Sequence, residues 1–327
     1  GVQTCALPIF RTDADPKISV SGSLLQGDEM WAWMPLFNLR RQSQLKLVTS
    51  PDASYLGGSV VAGHYLLHRT PGPIADMAQQ WRAVVLVGAG EGGAGYMALD
   101  VTAPDDPQLL WEWTPDQHCW SKGALYGTVG PACVNTGTFQ AMGRSTARPS
   151  VVTLFYARPG ETAAEHAAVV IPMGKSPNDS GVLNYGVDGL GKQGLFVVEL
   201  ETGTLIRKFL PSDFVTTGMP TAINDASQLG WLWSDPACYP GSPGQVASRC
   251  FLGDSKGMVW RLDLSSTNPD AWTLGYFFDA YKGQTGLSDV QLDIDSSDRA
   301  PIVAPPSLAR TASGGLQVVF GTGSAED

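Results

Sequence analysis

The sequence of 327 residues combines 38 glycines and 23 prolines with only 16% charged residues, which favours many short strands and tight turns over helices. Its formal net charge of −10 argues against a nucleic acid or an anionic membrane surface as partner, because both are bound through Lys/Arg-rich patches. No run reaches the ~18 apolar residues of a membrane-spanning helix.

Residues 1–9 read Gly-Val-Gln-Thr-Cys-Ala-Leu-Pro-Ile, which is the translation of a common sequencing-library adapter. We therefore expect an artefact there rather than natural protein, and we expect it to pack against nothing. A natural apolar N-terminus, or the remnant of a lipoprotein signal around Cys5, is the alternative. Residues 320–327 stop just after a strand-like run, so we expect a chain truncated at both ends, whose missing start hides any signal peptide.

One pattern recurs along the rest of the chain. An apolar run ends in a turn, and a strand of alternating residues follows, ends in an acid and leads into a further strand. The acids are Asp100, Glu199 and Asp263. The paired runs are 84–88 with 95–101, 168–172 with 194–200 and 250–253 with 257–264, and a fourth copy begins at 316–321. Each unit is typical of the antiparallel meander of one β-propeller blade, whose apolar faces are buried only by stacking on other blades.

The sequence therefore predicts an all-β fold, a partial β-propeller over residues 10–327 with long loops near 114–148 and 173–193. We expect roughly five or six blades of on the order of 50 residues each. The uneven spacing of the three acids predicts one further, divergent blade within residues 130–175.

Tryptophans occur in pairs at positions i and i+2, which share one face of a strand. The pairs are Trp31/Trp33, Trp111/Trp113 and Trp231/Trp233. We interpret them as core between blades; a platform that stacks a sugar or a cofactor is the alternative.

Apart from Cys5, four cysteines form two local pairs, each within a Gly/Pro/Asn-rich loop. An even count in loop pairs indicates disulfides and an oxidising compartment. Of the three connectivities we expect Cys119–Cys133 and Cys238–Cys250. Free thiols are one alternative. Zinc is another, although no CxxC spacing occurs and His118 is the only imidazole near a cysteine.

Four blocks of the sequence resemble the PilC/PilY-type family of type IV pilus biogenesis factors and tip-associated adhesins. The blocks are 27–35, 81–88 with 95–102, 253–264 (Gly-Asp-Ser-Lys-Gly-Met-Val-Trp-Arg-Leu-Asp-Leu), and 304–307 leading to 319–323. The C-terminal half of that family is a β-propeller, and its N-terminal half often carries a von Willebrand A-like domain.

The resemblance implies a binding and assembly module rather than an enzyme. It implies a protein exported through the periplasm to the cell surface, associated with the pilus or the outer membrane, that promotes pilus extension, attachment and twitching motility. Its partners would be pilin or minor pilins of the pilus tip complex, together with a host or surface ligand.

The resemblance also implies a calcium-binding, Asp-rich loop upstream of the 253–264 block. In this chain Asp225, Ser227 and Gly230 are the remnants of that loop, and Leu229 offers no side-chain oxygen where a ligand is needed. We therefore expect the calcium site to be lost, with a residual site as the alternative.

A second hard-cation candidate is the acidic stretch with Asp293, Asp295 and Asp298, which we interpret as a solvated turn because a central glycine and a closing glutamate are missing.

No catalytic or cofactor-binding residue is predicted. Ser/His/Asp sets and a G-x-S-x-G elbow are absent, and the glycine-rich segment 88–95 is followed by no helix that could hold a pyrophosphate. His64 and His68 share a strand face, with metal binding as a minor alternative.

Two rival functions stay open. One is a quinoprotein (PQQ-type) dehydrogenase, whose blade turns resemble residues 199–203, although such enzymes use a vicinal disulfide and no adjacent cysteines occur. The other is a scaffold for envelope protein assembly.

Overall fold

The computed structural model shows an all-β chain. It describes residues 7–10, 29–35, 57–69, 81–90, 95–113, 120–121, 143–174, 194–215, 230–232, 234–241, 244–281 and 299–323. Within these residues, strands are joined by turns, and the helical elements are two single 3-10 turns, Pro211–Asp213 and Pro269–Ala271. No helix in this part of the chain has the length and apolar character needed to cross a membrane.

The described strands form five sheets in chain order. A two-stranded sheet comes first, with β1 (Leu7–Phe10) and β2 (Glu29–Trp33). Blade 1 contains, in spatial order, β3 (Val60–Leu66), β4 (Trp81–Gly88), β5 (Tyr96–Asp100), β6 (Gln108–Trp113) and β7 (Trp120–Ser121).

Blade 2 contains β8 (Ser150–Tyr156), β9 (Ala164–Pro172), β10 (Leu195–Glu199) and β11 (Leu205–Phe209). Blade 3 contains β13 (Ala237–Tyr239), β14 (Arg249–Gly253), β15 (Met258–Asp263) and β16 (Thr273–Asp279), with β12 (Phe214–Val215) added parallel to β16 at its far edge. A final two-stranded sheet pairs β17 (Ser307–Arg310) with β18 (Leu316–Val319). The antiparallel meanders and their order agree with the predicted propeller.

Separate apolar cores lie between successive sheets. Trp31 and Trp33 pack with Met97 and Leu99 between the first sheet and blade 1. A larger core, with Phe196, joins blades 1 and 2, and another, with Trp260, joins blades 2 and 3. A fourth core joins blade 3 to the last sheet. Central strands such as β10 are buried on both faces, so their sequence is a continuous apolar run rather than an alternation.

The tryptophan pair of β6 confirms the interpretation as core between blades. Trp111 and Trp113 are both 0% exposed, and Trp113 meets the ring of Phe196 in blade 2 edge-on with centroids 5.9 Å apart. Trp31 and Trp33 are partly buried, and Trp233 lies outside the described residues.

The expectation of a separate blade within residues 130–175 is wrong. β8 and β9 pair with each other, and β9 pairs with β10, so they are the first two strands of blade 2. The recurring sequence pattern does not include β8, so the run at 168–172 has the appearance of a first strand although it is the second.

The expectation that residues 1–9 contact nothing is also wrong in one respect. Leu7–Phe10 pairs antiparallel with Glu29–Trp33, and Leu7 stands opposite Trp33. An extended segment beside an unpaired strand edge forms backbone hydrogen bonds whatever its origin. The adapter origin of residues 1–9 stays a prediction.

Candidate binding site at the propeller axis

Three successive sheets have the same four-residue pattern at the start of their first antiparallel strand: a small residue, a variable residue, a proline and a small residue. The rim quartets, as we name these segments, are residues 147–150 (Ala-Arg-Pro-Ser), 234–237 (Ser-Asp-Pro-Ala) and 304–307 (Ala-Pro-Pro-Ser). The last residue of each quartet is the first residue of its strand. Proline suits this position because it lacks an N–H for the strand ladder and holds the preceding residue extended.

Burial within the quartets also repeats. The prolines in the third position, Pro149, Pro236 and Pro306, are buried, whereas the residues before them are exposed or half-buried. Those variable residues are Arg148, Asp235 and Pro305. The prolines therefore anchor each strand, and the variable positions are left to face a shared space.

The strands that follow the quartets converge. β8 and β13 each occupy an end of their own sheet, and β13 contacts both β8 and β17. The backbone N–H of Arg148 donates to Asp235 Oδ1 over 2.7 Å, and the Ser150 hydroxyl donates to the carbonyl oxygen of Pro236. The starts of these inner strands are thus tied together around one axis.

A cavity of about 300 Å³ lies between these strands. Its lining comes from four sheets, with Tyr65 from β3 of blade 1, Arg148 and Ser150 from blade 2, Asp235 from blade 3 and Pro305 before β17. We name it the axial cavity. The volume is at the lower end of the ~300–1,000 Å³ of pockets that bind small ligands.

The polar groups of the axial cavity are of both signs. The backbone N–H of Arg148 is bonded to Asp235, but within the described residues its guanidinium has no hydrogen-bond or ion-pair partner. Burial raises the pKa of the Asp235 carboxyl, an effect that the bond from Arg148 N–H and the nearby positive charge partly oppose. Burial likewise raises the pKa of the Tyr65 phenol, and the charge of Arg148 opposes that shift. The cavity can therefore offer hydrogen-bond donors and a carboxylate acceptor side by side.

The acids that end the third strands have a structural role. Asp100 Oδ1 accepts from Thr102 N over 2.9 Å, and Asp263 Oδ1 accepts from Ser265 N over 3.1 Å. Each carboxylate thus closes the turn that follows its own strand, as aspartates commonly do.

Glu199 is the corresponding acid of blade 2, in the turn that resembles a quinoprotein blade. Its carboxylate accepts a hydrogen bond from Arg158 and, over 2.8 Å, one from the Thr202 hydroxyl. His166 lies beside it, with Nδ1 3.6 Å from Glu199 Oε1. Glu199 and His166 are buried in blade 2, and Arg158 covers them as a half-buried side chain.

Asp254, in the distinctive 253–264 segment, is fully buried. It accepts hydrogen bonds from the backbone N–H groups of Lys256 at 2.8 Å and Met258 at 2.9 Å, and from Trp260 Nε1 at 3.0 Å. Burial raises its pKa, and these bonds oppose the shift. The conspicuous sequence of this segment therefore builds a tight hairpin around one carboxylate.

One of the two expected disulfides lies in the described part of the chain. Cys238 and Cys250 stand opposite each other on β13 and β14 and are joined by a disulfide, and Cys238 also lines the axial cavity. Cys119 and Cys133 lie outside the described residues, so their pairing stays a prediction.

The metal candidates Asp225, Ser227, Asp293, Asp295 and Asp298 also lie outside the described residues. Where the structure describes the chain, no group of three or more His, Cys, Asp or Glu side chains could hold a metal ion. His64 is exposed on β3, and His68 bonds Glu201 Oε2 through Nδ1 over 2.9 Å.

The axial cavity was not anticipated from the sequence. Arg148 and Asp235 have the appearance of solvated turn residues when each is considered alone. The recurrence of the rim quartets before three strands was the signal that would have revealed it.

Comparison with known proteins agrees with the fold and the repeat pattern. A model of the PilY1 beta-propeller domain family matches residues 46–327. The crystal structure of the Pseudomonas aeruginosa PilY1 C-terminal domain superposes with a TM-score of 0.54 at 22% identity, covering 98% of this chain and 52% of that one. At this identity the likeness supports the fold alone.

Curated relatives are named type IV pilus biogenesis factor PilY1 or its homologue. The protein of P. aeruginosa strain UCBPP-PA14 is 26% identical over 340 residues, which cover 96% of this chain and 24% of the relative. A homologue from Xylella fastidiosa is 26% identical over 250 residues, which cover 74% of this chain and 14% of the relative. The chain thus spans a quarter or less of the length of these relatives.

Proposed function

This chain belongs to the PilY1 beta-propeller domain family, and from that membership we propose that it is a binding module of a type IV pilus biogenesis factor. It acts by holding other proteins of the pilus assembly at the cell surface, and it promotes pilus extension and attachment. The observation that carries this proposal is the family match over residues 46–327, on a chain that folds as stacked antiparallel blades.

The architecture suits binding better than chemistry. The strand-end acids Asp100 and Asp263 are engaged in their own turns, and Glu199 is held by Arg158. The polar side chains of Arg148, Asp235 and Tyr65 instead converge on the axial cavity. Stacked blades that present a mixed polar cavity where their first strands converge are suited to recognising a partner.

The partners in this proposal are pilin or minor pilins at the pilus tip, and the location is the cell surface in association with the pilus or the outer membrane. A disulfide at Cys238–Cys250 fits a protein exported to an oxidising compartment. Loss of the family's calcium site, through the broken pattern around Asp225, remains part of the proposal.

Association with pili tests the proposal. The matching segment of P. aeruginosa PilY1 would be replaced by residues 46–327 of this chain in a strain that lacks its own PilY1. Pili sheared from these cells should carry the exchanged protein at a level comparable to native PilY1. The proposal is contradicted if the exchanged protein reaches the cell surface in normal amounts and yet is absent from the sheared pili.

A further inference from the structure

The axial cavity contains a guanidinium that the fold does not use. Arg148 is exposed, and within the described residues its side chain has no hydrogen-bond or ion-pair partner, while its backbone N–H is engaged by Asp235. Arg82, Arg158 and Arg299 each pair with a carboxylate. A planar guanidinium offers two parallel N–H donors that match the two oxygens of a carboxylate.

The surroundings of Arg148 define a second contact. The carboxylate of Asp235 accepts the Arg148 N–H through Oδ1, and within the described residues Oδ2 accepts no hydrogen bond and is available to a ligand. Tyr65 adds a phenolic hydroxyl on the same cavity. A ligand that satisfies these groups carries a carboxylate and, close beside it, an N–H donor.

The rim also limits how a ligand is recognised. Pro149, Pro236 and Pro305 lack N–H groups, and the N–H of Arg148 is already bonded. An added β-strand would find few backbone donors there. Recognition therefore depends on side chains and on a compact group that fits about 300 Å³.

We propose that the axial cavity binds an α-amido carboxylate, the group that ends every polypeptide chain and that N-acylated amino acids share. Arg148 binds the carboxylate, Asp235 accepts from the adjacent amide N–H, and Tyr65 donates to a second ligand oxygen. The inference deepens the proposed function, because in a binding module the source of this group is the C-terminus of a protein partner.

Capture of peptides by the purified chain tests the proposal. Two pools of ten-residue peptides, randomised at the last three positions, would be supplied with free or amidated C-termini. We expect at least tenfold greater retention of the free-acid pool by the unmodified chain. Arg148→Gln should abolish this preference, whereas Arg310→Gln, which alters an exposed arginine on β17 outside the cavity, should retain it.

A second variant tests the role of Asp235. Asp235→Asn should lower the affinity for N-acetylalanine relative to propionate. Removal of the negative charge of Asp235 affects the carboxylates of both ligands alike, whereas only N-acetylalanine has an amide N–H that loses its charged acceptor. Unfolding midpoints in urea that match the unmodified chain would show that both variants are folded.

The outcomes distinguish a polypeptide C-terminus from a small carboxylate as the ligand, and they distinguish failure of this site from failure of the proposed pilus function. Retention of free-acid peptides assigns the site to a polypeptide terminus, and binding of N-acetylalanine without retention of peptides assigns it to a small carboxylate. Equal retention of free and amidated pools, or undiminished preference in Arg148→Gln, overturns the inference. Peptide capture and pilus association are independent measurements, so failure of this site leaves the pilus proposal standing.

Discussion

Trp111 lies so close to Gly203 that a Cβ added to the glycine would be 2.6 Å from Trp111 Cγ. The indole N–H of Trp111 donates to Leu200 O over 2.8 Å, and that of Trp113 donates to Gly203 O over 3.1 Å. A turn of blade 2 is thus held by two tryptophans of blade 1. The interface between blades 1 and 2 therefore depends on these tryptophan contacts as well as on apolar burial.

We predict that Gly203→Ala destabilises the chain by about 3 kcal/mol. Gly203 has φ +70°, a conformation that costs an L-residue roughly 1–2 kcal/mol, and overpacking against Trp111 adds roughly 1–3 kcal/mol. Urea unfolding followed by tryptophan fluorescence would measure the change.

Gly160→Ala is the matched control. Gly160 has φ +81° but nothing within 4 Å of an added Cβ, so only the backbone cost applies. Equal destabilisation by the two substitutions would show that the contact between Trp111 and Gly203 does not stabilise the interface between the blades.

A second prediction concerns Asp254. Asp254→Asn should lower the free energy of unfolding by about 3 kcal/mol, because the amide keeps one acceptor oxygen for Lys256 N and Met258 N but places an NH2 donor against the donor Trp260 Nε1. Asp263→Asn, which alters a partly exposed acid bonded to Ser265, is the control and should cost much less. Similar losses for both variants would contradict the structural role given to Asp254.

The buried His166 predicts a pH dependence. Burial lowers its pKa, and the positive charge of Arg158 lowers it further, while Glu199 opposes the shift. Among the described residues neither ring nitrogen has a hydrogen-bond partner, and the ring packs on Tyr156 with centroids 4.9 Å apart. The folded chain therefore disfavours the protonated imidazole.

The sign of the effect follows from proton binding. An unfolded histidine titrates near 6.5, above the lowered folded pKa, so the unfolded state binds more protons and stability falls as the pH drops below about 6.5. His166→Gln should reduce the difference in unfolding free energy between pH 7.5 and pH 5.5. His64→Gln, which alters an exposed histidine, should leave that difference as it is. An unchanged pH dependence in His166→Gln would contradict the assignment.

A fourth prediction concerns the disulfides. Replacing both Cys238 and Cys250 with alanine should destabilise the chain by roughly 3 kcal/mol, from the loop entropy of a bridge that spans 12 positions. Peptide mapping without reductant should find this bridge and a second one between Cys119 and Cys133. Free thiols at the second pair would refute the pairing predicted from the sequence.

The sequence pattern located most strands but not the inner ones. The run Trp81–Gly88 is apolar and ends in glycine, and Tyr96–Asp100 follows a glycine and ends in an acid, so the pattern predicts two consecutive strands. The units predicted in this way correspond to the second, third and fourth strands of blades 1 to 3. The first strands were missed because β3 contains Gly63 and His64 and β13 is only 3 residues long.

The axial cavity was missed for a related reason. Arg148 and Asp235 are 87 positions apart, and only the placement of blades around an axis brings them together. Alternation and turn residues report local structure and contain no information on which strand edges face the axis.

The most direct test of the account is whether this chain supports pilus assembly. P. aeruginosa cells whose own PilY1 is replaced by the version carrying residues 46–327 of this chain would be compared with cells without PilY1, and surface pili would be counted by electron microscopy. The account predicts that pili and twitching motility return. A strain that displays the exchanged protein at normal levels but has no more pili than the strain without PilY1 would contradict it.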